Sequence, residues 1–320
     1  YAILCVDTSR ASAPYYRTPS FFRVQYKREG LMKISTEIAS AAALVGEEKA
    51  VEYTAKAGFD AWDFSMFDVT HCDREKMILI PNDHPMFGKD YVAYCRKLKQ
   101  IGLDNGIVCN QSHAPYPSCG KNSIDILKRA IECTAEAGGK ICIIHPNNSQ
   151  TVEENTEMYE LLLPFAKQHG VKIATENMWN WDGEKKQATS AACSDEKSFN
   201  AHLDAVNDPF FVACLDIGHA EMRGLNTSAE KMILALGDRL QALHIHDNDK
   251  YHDSHQIPFS MDIDFTKAVN ALKKIGYKGY FTLECDAHIN GRSADTLFDG
   301  LCDMQRAVRR LADMFEASQA

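Results

Sequence analysis

The segment "FVACLD" (Phe211–Asp216) carries the pattern that decides the fold of this chain. Five apolar or small residues lead directly into one acid, which is the length and composition of a short buried strand with a polar end. The same construction recurs along the sequence: "KICIIH" ends at His145, "VKIATE" at Glu176, "ALHIH" at His246 and "YFTLE" at Glu284. The repeats indicate a set of similar strands that each deliver one polar side chain.

Eight such β-like runs alternate with helical patterns from Lys33 onward. Several of the helical stretches, such as "SIDILKRAIECTAEAG" (123–138), end at a glycine before the next strand, which is a common helix stop. The predicted strands cover residues 33–36, 61–66, 106–110, 140–145, 171–176, 211–216, 241–246 and 279–284. The other predicted helices cover residues 86–101, 151–168, 197–206, 228–236, 266–276 and 294–315.

Eight strand–helix repeats predict an α/β fold of the (β/α)₈ TIM-barrel type. A doubly wound open sheet also alternates in this way. Its nucleotide-binding version loses support, because neither GxGxxG nor GxxxxGK[ST] follows the first strand. Residues 32–320 contain no repeat, low-complexity tract or Pro/Gly-rich linker, so they are predicted to form a single barrel domain.

Residues 1–31 differ from the rest of the chain. They contain basic residues, aromatics and two prolines but show no sustained periodicity, and Met32 opens the first strand-like run. We expect an N-terminal extension outside the fold, either upstream sequence or a transit-like peptide.

The overall composition limits the classes of partner. The formal net charge of −9 argues against strong binding to nucleic acid. No stretch approaches the roughly 20 apolar residues of a membrane helix. The eleven cysteines are scattered without a CxxC pair, which favours free thiols in a reducing, cytoplasmic compartment. The oligomeric state is left open, and a homo-oligomer is compatible with these observations.

The polar strand ends predict a metal site. The carboxyl ends of all strands in a barrel meet at one face, and His113, which follows "GIVCN", brings the count of strands with a polar end to six. Each residue alone is more often a satisfied core group or a helix cap. A shared cluster of carboxylates and imidazoles, however, is costly to bury without a cation. Two glutamates, one aspartate and one histidine suit Mn²⁺, Mg²⁺, Co²⁺ or Zn²⁺.

The histidine of this set is chosen by position along the strand. His244 and His246 lie on the same side of a strand with period two, so alternation does not separate them. We prefer His246 because it lies nearer the end of the predicted strand.

Six motifs, in order, resemble those of the xylose-isomerase-like TIM barrels: "SHAPY", "IIHP", "ATEN", "CLDIGHA", "HIHDND…HDSH" and "TLE". This superfamily includes sugar isomerases and epimerases as well as DNA-repair enzymes of the endonuclease IV type. The resemblance extends over about residues 32–316 and implies a metal-dependent enzyme.

The resemblance also implies roles for individual residues. The shared metal position corresponds to Glu176, Asp216, His246 and Glu284, and the two glutamates would also be the catalytic groups that move the substrate proton. His219 corresponds to a residue that contacts substrate in epimerases and metal in nucleases. The additional metal ligands of the nuclease branch correspond to His113, His145, Asp253 and His255. The chain departs from the family at "QIPFSMDID" (256–264), where a glycine-rich turn is usual, so we expect a different loop over the side of the pocket that carries Asp253 and His255.

The predicted function is that of a metal-dependent sugar isomerase or epimerase. It would transfer a proton next to a carbonyl through an enediolate of a small sugar or polyol, between Glu176 and Glu284. Trp179 and Trp181 would form an apolar wall against the sugar, with core packing as the alternative. The rival functions are an abasic-site nuclease with two or three zinc ions, a sugar or inositol dehydratase, and a non-catalytic carbohydrate-binding barrel.

Overall fold

The computed structural model describes residues 30–317. Apart from Gly30 and Leu31, the predicted N-terminal extension lies outside the described residues. The strands are β1 (Ile34–Thr36), β2 (Ala61–Ser65), β3 (Thr70–Asp73), β4 (Ile78–Pro81), β5 (Val108–His113), β6 (Ile141–Ile143), β7 (Lys172–Glu176), β8 (Asn180–Asp182), β9 (Gln187–Thr189), β10 (Phe211–Asp216), β11 (Leu240–His244) and β12 (Phe281–Leu283).

Eight of these strands close into a parallel barrel. Six form one sheet in the order β11-β10-β7-β6-β5-β2, and β1 pairs with β12 in parallel. Two single bridges join these parts, Glu37 with Asp63 at one seam and Ile245 with Leu283 at the other. The predicted (β/α)₈ barrel is therefore confirmed, and all eight predicted strands are present.

The helices of residues 30–317 are α1 (Ala39–Val45), α2 (Glu47–Ala57), α3 (Tyr91–Asp104), α4 (Ser123–Ala137), α5 (Val152–His169), α6 (Glu196–Val206), α7 (Ile217–Ala220), α8 (Ala229–Leu236), α9 (Phe265–Lys274), α10 (Asp286–Asn290) and α11 (Leu297–Ala317). Short 3₁₀ turns cover Phe67–Val69, Pro85–Phe87 and Gly237–Arg239. None of these helices combines the length and apolar character that crossing a bilayer requires.

Helix α4 shows how local sequence produces the outer layer. Leu127, Ala130 and Ile131 are fully buried at helical spacing and pack toward the barrel. The helix ends at Gly138, whose φ of 97° is a left-handed conformation that glycine adopts without a Cβ penalty. Chain direction is thus reversed within a few residues, which returns the chain to β6.

Two antiparallel hairpins were not predicted. The β3–β4 hairpin follows β2, and the β8–β9 hairpin follows β7. Both are inserted after the carboxyl end of a barrel strand, which is the end that carries the polar residues. They extend this face without altering the strand order of the barrel.

Candidate active site and metal centre

A pocket of about 230 Å³ lies at the carboxyl ends of the barrel strands. This is the face at which TIM barrels carry their active sites. Most of its lining is polar or aromatic: Phe67, Tyr116, His145, Asn148, Glu176, Met178, Trp179, His219, Asp253, His255 and Glu284. Seven residues predicted as site residues therefore share one pocket.

Four side chains at the base of this pocket form what we term the glutamate centre: Glu176, Asp216, His244 and Glu284. One potential ligand atom of each lies within 4.8 Å of those of the other three. His244 Nδ1 lies 2.9 Å from Glu176 Oε1 and 3.4 Å from Glu284 Oε2. The strand pairing of β10 with β11 places His244 directly beside Asp216.

The structure places His244, and not the predicted His246, in the glutamate centre. Both residues are buried, and alternation puts both on the same side of an extended strand. The pairing of β11 with β10, however, ends at His244 opposite Asp216, and the next residue, Ile245, bridges only to Leu283 on the other side. His246 consequently lies beyond the glutamates, with its Nε2 3.1 Å from Asp216 Oδ1.

His113 and His145 flank the two glutamates. His113 Nδ1 lies 3.0 Å from Glu284 Oε1, and His145 Nε2 lies 3.0 Å from Glu176 Oε2. The two imidazoles also meet, at 2.7 Å between their Nε2 atoms. The predicted additional ligands His113 and His145 thus join the glutamate centre and orient its two carboxylates.

A second group, which we term the histidine centre, consists of His219, His246, Asp253 and His255. Its potential ligand atoms also lie within 4.8 Å of one another. Asp253 is the common partner: its Oδ2 lies 3.1 Å from His219 Nε2, and its Oδ1 lies 3.3 Å from His255 Nε2. The predicted residues His219, Asp253 and His255 are therefore brought together, despite the unusual loop that follows them.

Gly218 makes the position of His246 sterically accessible. A Cβ atom at residue 218 would lie 1.9 Å from His246 Cε1, closer than any real contact. The rings of His246 and His255 stack at 4.1 Å with an interplanar angle of 10°. The glycine of "LDIGH" is thus explained by the close packing of an imidazole against the backbone.

The glutamates are held in their ionised forms. Burial opposes ionisation, but His244 and His145 outweigh it and hold the pKa of Glu176 well below its usual range. Burial likewise opposes ionisation of Glu284, and His244 and His113 lower its pKa. Burial lowers the pKa of His244, but Cys214, Glu176 and Glu284 raise it well above its usual value, so the His244 imidazolium supplies the positive charge that these buried carboxylates require.

In the histidine centre, carboxylates raise the pKa values of the imidazoles, whereas in the glutamate centre imidazoles lower the pKa values of the carboxylates. Burial disfavours protonated imidazoles, yet Asp216 and Asp253 raise the pKa of His219 to about 10. Asp253 and Asp286 raise the pKa of His255 to about 12 in spite of its burial. A bound cation would take over the charge that these protons supply, so metal binding would release protons.

The residues fit a divalent metal ion. Asp216 is fully buried, and its Oδ2 has no hydrogen-bond partner in residues 30–317, whereas its Oδ1 accepts the His219 backbone N–H at 2.6 Å. A buried carboxylate oxygen without a partner is costly unless a cation meets it. Carboxylate oxygens with one or more imidazole nitrogens are the donors that Mn²⁺, Co²⁺ and Zn²⁺ accept.

The two tryptophans lie in different places. Trp179 lines the pocket, and its Nε1 donates to Asp253 Oδ2 at 3.3 Å. Trp181 lies on the β8–β9 hairpin, is 46% exposed and stacks on His252. The structure brings Trp179 to the predicted wall and leaves Trp181 out of the pocket lining.

Sequence reasoning missed several residues around the site. Asp63, inside "AWDFS", is fully buried behind His244, and a charge within an apolar strand was an available signal. Glu37 follows β1 just as the other acids follow their strands, and burial raises its pKa to about 7. Phe67 and Tyr116 stack at 5.2 Å and form one wall of the pocket. Tyr116 ends the motif "SHAPY" and so lay within a quoted signal, whereas Phe67 lay in no motif.

Comparison with known proteins shows the same barrel fold. Among solved structures, a D-tagatose 3-epimerase-like protein superposes with a TM-score of 0.66 at 19% identity, covering 90% of this chain and 100% of that chain. The IolI protein with a bound zinc atom superposes with a TM-score of 0.64 at 18% identity, covering 89% and 99%.

Two sequence relatives extend over most of the barrel. An uncharacterized protein of Methanocaldococcus jannaschii is 23% identical over 73% of this chain and 77% of its own length. A putative L-ribulose-5-phosphate 3-epimerase of Haemophilus influenzae is 23% identical over 60% of this chain and 70% of its own length. The family model for xylose isomerase-like TIM barrels matches residues 51–315. With this match over most of its length, the chain belongs to the xylose isomerase-like TIM barrel family.

Proposed function

We propose that this protein is a divalent-metal-dependent isomerase or epimerase of a small sugar or polyol. The observation that carries the proposal is the placement of Glu176 and Glu284 in one pocket, around one set of metal-type donors. Two carboxyl groups at one substrate position allow one, as the carboxylate, to remove a proton and the other, as the carboxylic acid, to return one.

Glu176, Asp216, His244 and Glu284 would hold the metal ion. When bound, a divalent ion acts as a Lewis acid that makes the hydrogen next to a substrate carbonyl more acidic. His246 would support this set through its contact with Asp216, in place of the ligand role predicted for it.

The protein side chains would perform the proton transfer. One glutamate, as the carboxylate, takes the proton from the carbon next to the carbonyl, and the other, in its protonated form, returns a proton, which inverts that carbon if the two lie on opposite faces of the substrate. Proton exchange with solvent then restores the starting protonation of both groups. His113 and His145 hold the carboxylates of Glu284 and Glu176 in place through contacts of 3.0 Å. Return of the proton by the same group to the neighbouring carbon gives isomerisation instead.

The remaining lining would bind and orient the substrate. His219 and His255 line the pocket beside Asp253, whose carboxylate contacts the Nε2 atoms of both imidazoles, and these three residues supply a polar side of the substrate site. Phe67, Tyr116 and Trp179 supply apolar ring surfaces for the C–H face of a sugar. No lysine or arginine of residues 30–317 lines this pocket, which disfavours the nuclease alternative, since DNA binding relies on phosphate contacts.

Two named relatives support the same class. One similar structure is described as D-tagatose 3-epimerase-like, and one sequence relative as a putative L-ribulose-5-phosphate 3-epimerase. A dehydratase would use the same base and metal but expel a hydroxyl from the adjacent carbon, so product analysis separates the two reactions.

Hydrogen exchange tests the proposal directly. The Mn²⁺-loaded protein would be incubated in D₂O with keto-sugars and inositol derivatives, and the carbon-bound hydrogens followed by NMR. We expect deuterium at the carbon next to the carbonyl, together with an epimer or isomer. Loss of water in the product would indicate the dehydratase. Cleavage of abasic DNA with every sugar unexchanged would overturn the proposal in favour of the nuclease.

A further inference from the structure

The fully buried carboxylate of Asp63 lies directly behind the glutamate centre. Asp63 is on β2, its side chain has no exposure, and none of the described lysines or arginines pairs with it. Its Oδ2 accepts a hydrogen bond from Gln111 Nε2 at 2.8 Å and lies 3.5 Å from His244 Nε2. Among residues 30–317, His244 is therefore the only ionisable base with a described contact to the Asp63 side chain.

The His244 ring thus separates two environments. Nδ1 faces Glu176 and Glu284, at 2.9 and 3.4 Å, whereas Nε2 faces Asp63. A neutral imidazole carries one N–H, and the acceptor that holds this hydrogen decides which nitrogen keeps its lone pair.

We propose that Asp63 is a positioning residue that accepts the His244 Nε2–H and so directs the Nδ1 lone pair toward the metal. This inference rests on the metal centre of the proposed function. Carboxylate–histidine–metal arrangements of this kind set ring orientation and increase the basicity of the ligand. Asp63 itself touches neither the pocket nor the substrate.

The sheet keeps Asp63 in place. Asp63 and Gln111 are paired in register on β2 and β5, so the donor that fixes the carboxylate comes from the neighbouring strand. Gln111 Oε1 in turn accepts from Asn110 Nδ2 at 3.2 Å. The carboxylate is therefore held from behind by a buried polar network and meets His244 with its orientation already set.

Metal affinity tests the proposal without any substrate. Co²⁺ affinity would be measured by chelator competition for the wild type, Asp63→Ala and Asp63→Asn. We expect Asp63→Ala to bind about 10- to 100-fold more weakly, as is typical when an outer-shell partner is lost. The Co²⁺ affinity of Asp63→Asn, which keeps an acceptor oxygen without the charge, should lie between those of the wild type and Asp63→Ala. This variant keeps the test informative if Asp63→Ala does not fold.

Thr134→Ala is the matched control. Thr134 is fully buried on α4 and donates to Ala130 O at 2.7 Å, but has no described contact with His244 or with the polar network that holds Asp63. A purely structural effect of removing a buried polar group would appear in this variant too. We expect its Co²⁺ affinity to equal that of the wild type.

A spectroscopic signature separates positioning from general destabilisation. In the Co²⁺ protein, the His244 Nε2–H should give a paramagnetically shifted NMR resonance that exchanges slowly with water because Asp63 holds it. This resonance should disappear in Asp63→Ala. If Asp63→Ala binds Co²⁺ like the wild type, or Thr134→Ala loses as much affinity, the positioning role is overturned. If the wild type itself binds no divalent metal, the metal centre falls together with this inference.

Discussion

The glutamate centre and the histidine centre meet at Asp216 but are built from different parts of the barrel. Glu176, Asp216 and His244 are the last residues of β7, β10 and β11 and are at most 1% exposed. In the histidine centre, the side chains of Asp253 and His255 come from the loop after β11 and are 19% and 22% exposed. The first centre is fixed by hydrogen-bonded strands, and the second by side-chain contacts within loops.

This difference suggests a division of labour. Strand ends vary little in position, which suits metal ligands and catalytic bases that need close geometric control. Loops tolerate changes of sequence and shape, which suits contacts that select a substrate. We therefore expect substitutions in the glutamate centre to abolish chemistry, and substitutions in the histidine centre to alter binding and pH response.

The largest expected effect is the loss of a base from the glutamate centre. Glu284→Gln, and separately Glu176→Gln, keeps the size of the side chain but removes the proton acceptor. Turnover should fall by about 10²- to 10⁴-fold, measured as the initial rate of deuterium incorporation at saturating metal. Glu75→Gln, on the exposed turn of the β3–β4 hairpin, is the control. Undiminished exchange in both Gln variants of the centre would show that neither glutamate acts as the base.

The second effect distinguishes His244, the last residue of β11, from His246, which lies two residues beyond the strand. His244→Ala removes a direct ligand, so metal affinity should fall by more than the roughly 10- to 100-fold expected for an outer-shell change. His246→Ala removes only the contact with Asp216 and should stay within that range. Chelator competition at fixed pH measures both. A larger loss for His246→Ala would reverse the assignment of the metal ligand.

The third effect concerns the pH response of the histidine centre without metal. Asp253→Asn should bring the pKa of His219 down from about 10 toward its ordinary value, because the imidazolium loses a carboxylate partner. A histidine whose pKa is raised by folding stabilises the folded state when the pH is below the ordinary histidine pKa. This contribution is lost as the pH rises through the pKa of the folded state. The pKa of Asp253 is depressed, mainly by His219 against the effect of burial, so its contribution is lost at low pH.

The stability difference between wild type and Asp253→Asn should therefore be largest between about pH 4 and 6.5 and shrink on either side. Urea unfolding in the presence of a chelator, from pH 3 to 10, measures it. The control is Asp249→Asn, in which the partner His252 is exposed, so little should change. A pH-independent difference would show that Asp253 acts through packing and not through charge.

The smallest expected effect distinguishes the two tryptophans. Trp181→Ala alters an exposed stack on His252 and should change stability by no more than about 0.5 kcal/mol. It should leave substrate affinity unchanged. Trp179→Ala removes pocket surface and the bond to Asp253, so KM should rise. Equal changes in KM for the two variants would contradict the placement of Trp181 outside the pocket.

Part of the site could be predicted because its signals are local. Glu176 and Asp216 end strands whose apolar runs are legible in the sequence, and parallel strands bring such ends to one face. Glu284 follows β12 by one residue, and His219 follows Asp216 on a short helix, so their positions also depend on nearby residues alone. These four residues lie where the sequence pattern predicts them.

The sequence by itself thus determined the barrel, its order of strands and most of the pocket, because hydrophobic period and strand-end chemistry are properties of short segments. Only the tertiary structure decided between His244 and His246, since β11 ends where its pairing with β10 ends, beside Asp216. It also decided the role open to Asp63, because that role depends on contacts with Gln111 and His244. These residues lie 48 and 181 positions further along the chain. Contacts between distant segments are set by how strands pair and loops pack, and no local pattern encodes that.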